Sequence, residues 1–126
     1  VTIARDSRTR SVIAVADTDD TATTLYTCPA NCKSHMSLLF ITNASANASD
    51  IAVNWYVAAD DTSYFILGGK NLAVGEFLQF SDAFIVLEAG DKIELTPSDT
   101  GGGANPQIDF FCTVEEFFLP QQSGAF

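Results

Sequence analysis

At 126 residues the chain has the length of one domain, enough to bury roughly two thirds of its unfolded surface in a single core. Ten Phe, three Tyr and one Trp against a single Met favour pleated, half-buried strands over helices. Sixteen acidic residues against six basic ones, a formal net charge of −10, argue against a nucleic-acid surface, and no apolar run approaches the roughly 18–20 residues with which a helix spans a bilayer.

Residues 1–10 come first and differ from the rest. Arg5, Arg8 and Arg10 are half of the six basic residues, and only Asp6 opposes them. A segment so poor in apolar side chains does not fold alone, so it is expected to be an extended N-terminal arm. That arm is either solvated or docked through its guanidinium groups on acidic neighbouring subunits. It also lacks the apolar centre of a secretory leader, which leaves either a cytoplasmic protein or a leader already removed.

Ten strand-like runs follow, at residues 10–16, 23–28, 34–42, 51–58, 63–67, 71–74, 76–80, 84–88, 92–96 and 108–118. Turn chemistry separates them: Asp17-Thr18-Asp19-Asp20, residues 43–50, Asp60-Asp61, Gly68-Gly69 and residues 100–106. The clearest alternation sets Ile51, Val53, Trp55 and Val57 against Ala52, Asn54 and Tyr56, which makes Trp55 an expected core anchor. Residues 86–95 read as two short strands about an Ala89-Gly90-Asp91 turn. No window of helix length carries apolar residues at three- and four-residue spacing. The expected fold is all-β, an antiparallel β-sandwich of residues 11–119 with an arm at 1–10 and a tail at 120–126.

Catalytic and metal chemistry find little support. Cys28, Cys32 and Cys112 are the three thiols and His35 the one imidazole, but a Cys-x3-Cys-x2-His spacing is no closed zinc pattern, and Cys112 lies in an apolar strand run. A Cys28–Cys32 disulfide across Pro29-Ala30-Asn31 is the alternative to free buried thiols, although so short a loop constrains little chain entropy. Gly101-Gly102-Gly103-Ala104-Asn105-Pro106 lacks the Lys-Ser/Thr ending of a phosphate cradle. The carboxylate pairs Asp19-Asp20 and Asp60-Asp61 read as solvated turn charge, with weak calcium binding as the alternative. Glu115-Glu116 is a third pair, in a strand run. Asn43-Ala44-Ser45 and Asn47-Ala48-Ser49 fit the glycosylation pattern but serve equally as small polar turns. No Gly-x-Ser-x-Gly is present, and the one His has no Ser or Asp at a diagnostic position. No catalytic, cofactor or metal residue is assigned.

The end of the chain is apolar on both faces of a strand: Phe110, Phe111, Phe117, Phe118 and Leu119 place large side chains at neighbouring positions, and Phe126 follows. Such a strand is either covered on both sides by its own chain or meets another.

Thr24-Leu25-Tyr26-Thr27-Cys28-Pro29-Ala30-Asn31, the apolar run ending in Ile41-Thr42-Asn43, Val86-Leu87-Glu88-Ala89-Gly90-Asp91-Lys92-Ile93 and the closing Val114-Glu115 together resemble the small β-sandwich virion proteins of tailed bacteriophages. The resemblance runs over residues 24–116. The family usually has an aliphatic residue where Cys28 stands, which fits an inward packing role, and a polar one at Cys32. What the resemblance implies is a non-enzymatic structural protein with jelly-roll-like connections. It would be a capsid decoration or cement protein on the particle exterior, or a tail or fibre-base component, made in the host cytoplasm. Its implied partners are copies of itself, with a trimer as the first expectation, and the major capsid protein or other virion proteins, without nucleic acid or membrane. The contact residues expected on these grounds are Arg5, Arg8, Arg10, Phe117, Phe118 and Phe126. A carbohydrate-binding module is the rival of another class. Exposed Trp55, Tyr56 and Tyr64 on one face would favour it.

Overall fold

Alternating apolar and polar side chains build eight strands: β1 Ser7–Ala16, β2 Thr23–Thr27, β3 Cys32–Asn43, β4 Ser49–Val57, β5 Thr62–Leu72, β6 Phe77–Leu87, β7 Lys92–Asp99 and β8 Ile108–Phe118. The computed structural model describes residues 6–99 and 105–120, apart from the side chains of residues 82–84 and 99. Two four-stranded antiparallel sheets form, in the orders β1-β8-β3-β6 and β2-β7-β4-β5. Only β4 and β5 are consecutive strands of one sheet; every other connection crosses to the opposite sheet. This is the connectivity of an eight-stranded jelly roll, a β-sandwich as expected.

The core lies between the sheets and follows the two-residue period. Along β8, Ile108, Phe110, Cys112 and Val114 are buried while Asp109, Phe111 and Thr113 are not. From the facing sheet come Ile51 and Val53 of β4 and Ile93 and Leu95 of β7. Phe110 is the largest fully buried side chain, and a ring of that size withdrawn from water contributes about 2–3 kcal/mol. Trp55, expected as a core anchor, is only half-buried and packs against the core at its rim.

The ten expected runs become eight strands because two apparent breaks are bulges. Ile51 pairs with Lys70 and Ala52 with Gly68, so Gly69, at φ 88°, is the extra residue that β5 accommodates without ending. In β6, Ile85 pairs with Met36 and Ser81 with Leu38, and the residues between them form an irregularity inside one strand. The Ala89-Gly90-Asp91 turn is present, with Gly90 at φ 87° and the Asp91 amide donating to the Glu88 carbonyl at 3.0 Å. Its two strands are not partners, however: β6 pairs with β3 in one sheet, while β7 pairs with β2 and β4 in the other. The turn is a corner between sheets, held by Asp91. That carboxylate is buried and accepts from the amides of Ala58 at 2.9 Å and Glu88 at 3.0 Å and from the Trp55 indole at 3.3 Å.

The Asn43 side chain is also buried, donating to the carbonyls of Leu72 at 2.9 Å and Asn47 at 3.0 Å and accepting from the Ser45 amide at 2.8 Å. It holds a loop together and presents no free amide. Residues 7–10, which composition assigns to the arm, open β1 instead and run antiparallel to Val114–Phe117 of the same chain through the pairs Ser7 with Phe117 and Arg10 with Val114.

Candidate functional site

Two constellations come from β8 and its neighbours, one facing inward and one outward. The inward one centres on Glu116. Alternation along β8 turns Glu115 outward and Glu116 into the sandwich, where its side chain is 0% exposed. A charge so placed needs partners. β1 supplies Arg8, with Nε 2.5 Å from Glu116 Oε1, and Arg10, with Nη1 3.7 Å from Oε2. β2 supplies Tyr26, whose hydroxyl donates to Glu116 Oε2 and lies 2.7 Å from Ser34 Oγ. A register shift between Thr24 and Tyr26 makes this reach available, because it lets the consecutive residues Leu25 and Tyr26 both point inward. Cys28 Sγ continues the chain at 3.3 Å from Ser34 Oγ.

Burial alone would raise the Glu116 pKa; the hydrogen bonds from Tyr26 and Arg8 and the charges of Arg8 and Arg10 outweigh it and hold the carboxyl below its usual range. Burial and the bond to Glu116 push the Tyr26 hydroxyl up, so it stays a donor. The network spans both sheets and acts as a clamp at one end of the sandwich. Arg8 and Arg10, expected to dock on neighbours, have their first partner inside their own chain. Their side chains remain 45% and 44% exposed.

The outward constellation lies on the solvent face of the β1-β8-β3-β6 sheet. Ile13 stands opposite Phe111, and Phe111 opposite Phe40. The Phe40 and Phe111 rings stack with centroids 5.0 Å apart, and Phe77 of β6 stacks on Phe40 at 5.2 Å. The row therefore crosses all four strands, with Ile13 75% and Phe77 57% exposed at its ends. Towards the other end of the same face, Phe117 packs against His35 at 4.7 Å. Phe118, partly exposed, lies 5.8 Å from the Arg8 guanidinium carbon. Phe117 is half-buried on this face and Phe118 exposed at the strand's end. Of the row, Phe111 belongs to the two-faced apolar run of the sequence, whereas Ile13, Phe40 and Phe77 are not among the expected contact residues. The row's signal was present in Leu38-Leu39-Phe40-Ile41, which is apolar on both faces just as β8 is. Arg5 and Phe126 lie outside the described residues, as does most of the 120–126 tail.

Neither constellation resembles a catalytic centre. Glu115 and Glu116 diverge to opposite faces, and Asp60 and Asp61 lie exposed in the β4–β5 turn, where Asp61 accepts from the Tyr56 hydroxyl at 2.6 Å. Cys28, Cys32 and Cys112 are buried free thiols, and burial pushes Cys112 up to about 11 and raises Cys28. Among the described residues no three His, Cys, Asp or Glu side chains gather as metal ligands.

A third feature is a cleft of about 600 Å³ lined by Trp55, Val57, Asp60, Tyr64, Val86 and Glu88, with Asp91 at its base. The edge strands β1 and β2 approach each other along one flank of the sandwich, whereas the edges β5 and β6 do not close the other to the same degree. Trp55 and Tyr64 are directly opposed in the β4–β5 ladder and so share a face. Tyr56 belongs to the other face.

No protein-family model and no curated sequence matches the chain. Solved structures do share its fold. A protein of Bacillus endospore appendages, described as disulfide-linked pili, superposes with a TM-score of 0.55 at 12% identity over 95% of this chain and 98% of its own. A chain of infectious bursal disease virus, Gx strain, gives 0.53 at 14% identity, covering 97% of this chain and 34% of that one. The VP2 protein of the same virus, in T=1 particles, gives 0.50 at 12% identity over 89% and 36%. The chain thus spans about a third of the length of the viral proteins and almost all of the appendage protein. At these identities the likeness is one of fold.

Proposed function

We propose that this jelly roll is a non-enzymatic structural subunit that assembles with copies of itself in a virion, using the outer face of the β1-β8-β3-β6 sheet as its contact. The observation that carries this reading is the stacked row Phe111, Phe40 and Phe77 with Ile13 beside it. A monomer seldom leaves so continuous an apolar strip in water. The fold shared with a particle-forming VP2 supports the same reading.

In its finer form the proposal is a decoration or cement protein of a tailed bacteriophage, made in the host cytoplasm and seated on the capsid exterior. It would act as a symmetric oligomer, a trimer first, bound to the major capsid protein or another virion protein and to neither nucleic acid nor membrane. Repetition by symmetry lets modest contacts add up. A tail or fibre-base position is the alternative within the virion. Arg5, Phe126, Phe117 and Phe118 contribute to the contact, and Arg8 and Arg10 add the donors that Glu116 leaves free.

A second reading, a filament subunit, is favoured by the appendage protein, whose length the chain matches almost entirely. A closed symmetric contact gives an oligomer, a head-to-tail contact an open fibre.

Sedimentation velocity on the parent and on a variant carrying Ile13→Asp and Phe77→Asp tests the proposal, since both positions are exposed and tolerate charge without loss of core. The parent should sediment as a small closed oligomer and the variant as a folded monomer. Fibres in place of a closed oligomer would support the filament reading. A parent that stays monomeric at high concentration and does not bind particles would refute both.

A further inference from the structure

The Trp55 cleft is separate from the aromatic row and from the Glu116 clamp. Its walls are apolar and aromatic, Trp55 and Tyr64 being neighbours on one face of the β4–β5 ladder with Val57 and Val86 beside them. Its polar groups are carboxylates: Asp60 and Glu88, both exposed, at the rim and Asp91 at the base. Among the described residues no basic side chain lines it, and Lys33, 3.5 Å from Glu88, is engaged in that ion pair.

This composition selects among ligands. An anion would meet three carboxylates, of which only Glu88 has a cation beside it, Lys33. A metal ion would find Asp91 already spent, its two oxygens accepting from Ala58 N, Glu88 N and Trp55 Nε1. An uncharged ring with apolar C–H faces and a rim of hydroxyl groups matches both kinds of wall: the faces lie against Trp55 and Tyr64, and the hydroxyls donate to Asp60 and Glu88.

The geometry points to a binding site for a neutral hexopyranose unit of an oligosaccharide, and we propose that function for the cleft. Asp91 prepares it, because the same carboxylate that ties the β6–β7 corner to Ala58 also bonds the indole of Trp55. An aromatic platform held before the ligand arrives loses little side-chain freedom on binding. The volume of about 600 Å³ lies within the usual span of small-molecule sites, about 300–1,000 Å³. The inference stands apart from the subunit proposal, since no residue of the aromatic row lines the cleft, which takes only Val86 from the strands of that row's sheet.

Trp55 is the only Trp of the chain, so its fluorescence reports on this cleft alone. The full chain is titrated with neutral hexasaccharides of glucose in α-1,4 and β-1,4 linkage, of N-acetylglucosamine, of mannose and of galactose, with sialyllactose and a heparin hexasaccharide as anionic probes. At least one neutral sugar should change the Trp55 emission saturably, with half-saturation at or below about 10 mM, and the anionic probes should not. Tyr64→Ala, at an exposed position, should weaken that binding about two- to tenfold with far-ultraviolet circular dichroism unchanged, and Glu88→Gln should weaken it as well. The proposal is overturned if no neutral sugar moves the emission or the indole N–H resonance at that concentration. Tighter binding of an anionic probe, or neutral-sugar binding indifferent to Tyr64→Ala, overturns it too.

Discussion

Replacing Glu116 by Gln removes the charge at the centre of the clamp while keeping the side chain's shape. In the parent, the fully buried carboxylate is bonded by Arg8 at 2.5 Å, faces Arg10 at 3.7 Å and accepts from Tyr26. Breaking a buried ion pair typically costs about 3–5 kcal/mol, because the abandoned partner stays desolvated. Here the abandoned partners are arginines whose side chains are 45% and 44% exposed, and these can rehydrate, so the cost is lower. The amide oxygen still accepts from Tyr26. Together these place the loss at about 2 kcal/mol at neutral pH.

The pH dependence adds a sharper expectation. The native carboxyl titrates below its ordinary 4.5, so on acidification the unfolded chain takes up this proton first. The stability that Glu116 contributes is complete above about pH 5 and drains away as pH falls through 4.5 towards the lower native value. Urea unfolding of parent and variant from pH 7 to pH 3 isolates this part, since other carboxylates titrate in both. The gap between the two proteins should be about 2 kcal/mol at pH 7 and narrow steadily below pH 5. A gap under about 0.5 kcal/mol at pH 7, or one that does not change with pH, would refute a charged clamp at Glu116.

Other substitutions probe separate parts of the fold. Gly90→Ala should cost more than Gly69→Ala in thermal unfolding, since both residues have positive φ but only at Gly90 would an added Cβ meet Ala58 Cβ, at 3.0 Å. Cys112→Ser should destabilise by about 1–3 kcal/mol and by more than Cys32→Ser, because the hydroxyl would be buried in the apolar middle of β8; an Ellman titration of the native chain should find the thiols unreactive until denaturant is added. Asn54→Val should stabilise the fold by about 0.5–1 kcal/mol, read as a higher urea midpoint, since Asn54 Oδ1 is buried without a partner on a central strand.

Strand content was legible where one rule governed. β8 runs Ile108–Phe118, the very run that the alternation of Ile108, Phe110, Cys112 and Val114 marks out. Gly68-Gly69 was ambiguous because glycine signals both a turn and a bulge. Only the pairing of Ile51 with Lys70 and Ala52 with Gly68 tells the two apart. The same holds for residues 86–95: a turn is a local property, but assigning its strands to opposite sheets depends on β3, β2 and β4. Arg8 and Arg10 read as free arm charge because their partner lies 108 residues from Arg8, and nothing local says that β1 and β8 are neighbours. Tyr26 joins that site only through a bulge that turns two consecutive residues inward. The Trp55 cleft draws on β4, β5, β6 and two turns, so no single stretch of sequence contains it.

The most direct test of an assembling subunit is to locate the chain in the density of the intact particle that carries it, by electron cryomicroscopy, and to read which face is covered. The proposal predicts that Ile13, Phe40, Phe77 and Phe111 lie against a neighbouring protein surface, repeated by the symmetry of the assembly. Density in which that row faces solvent, with the chain attached through some other surface, would contradict it.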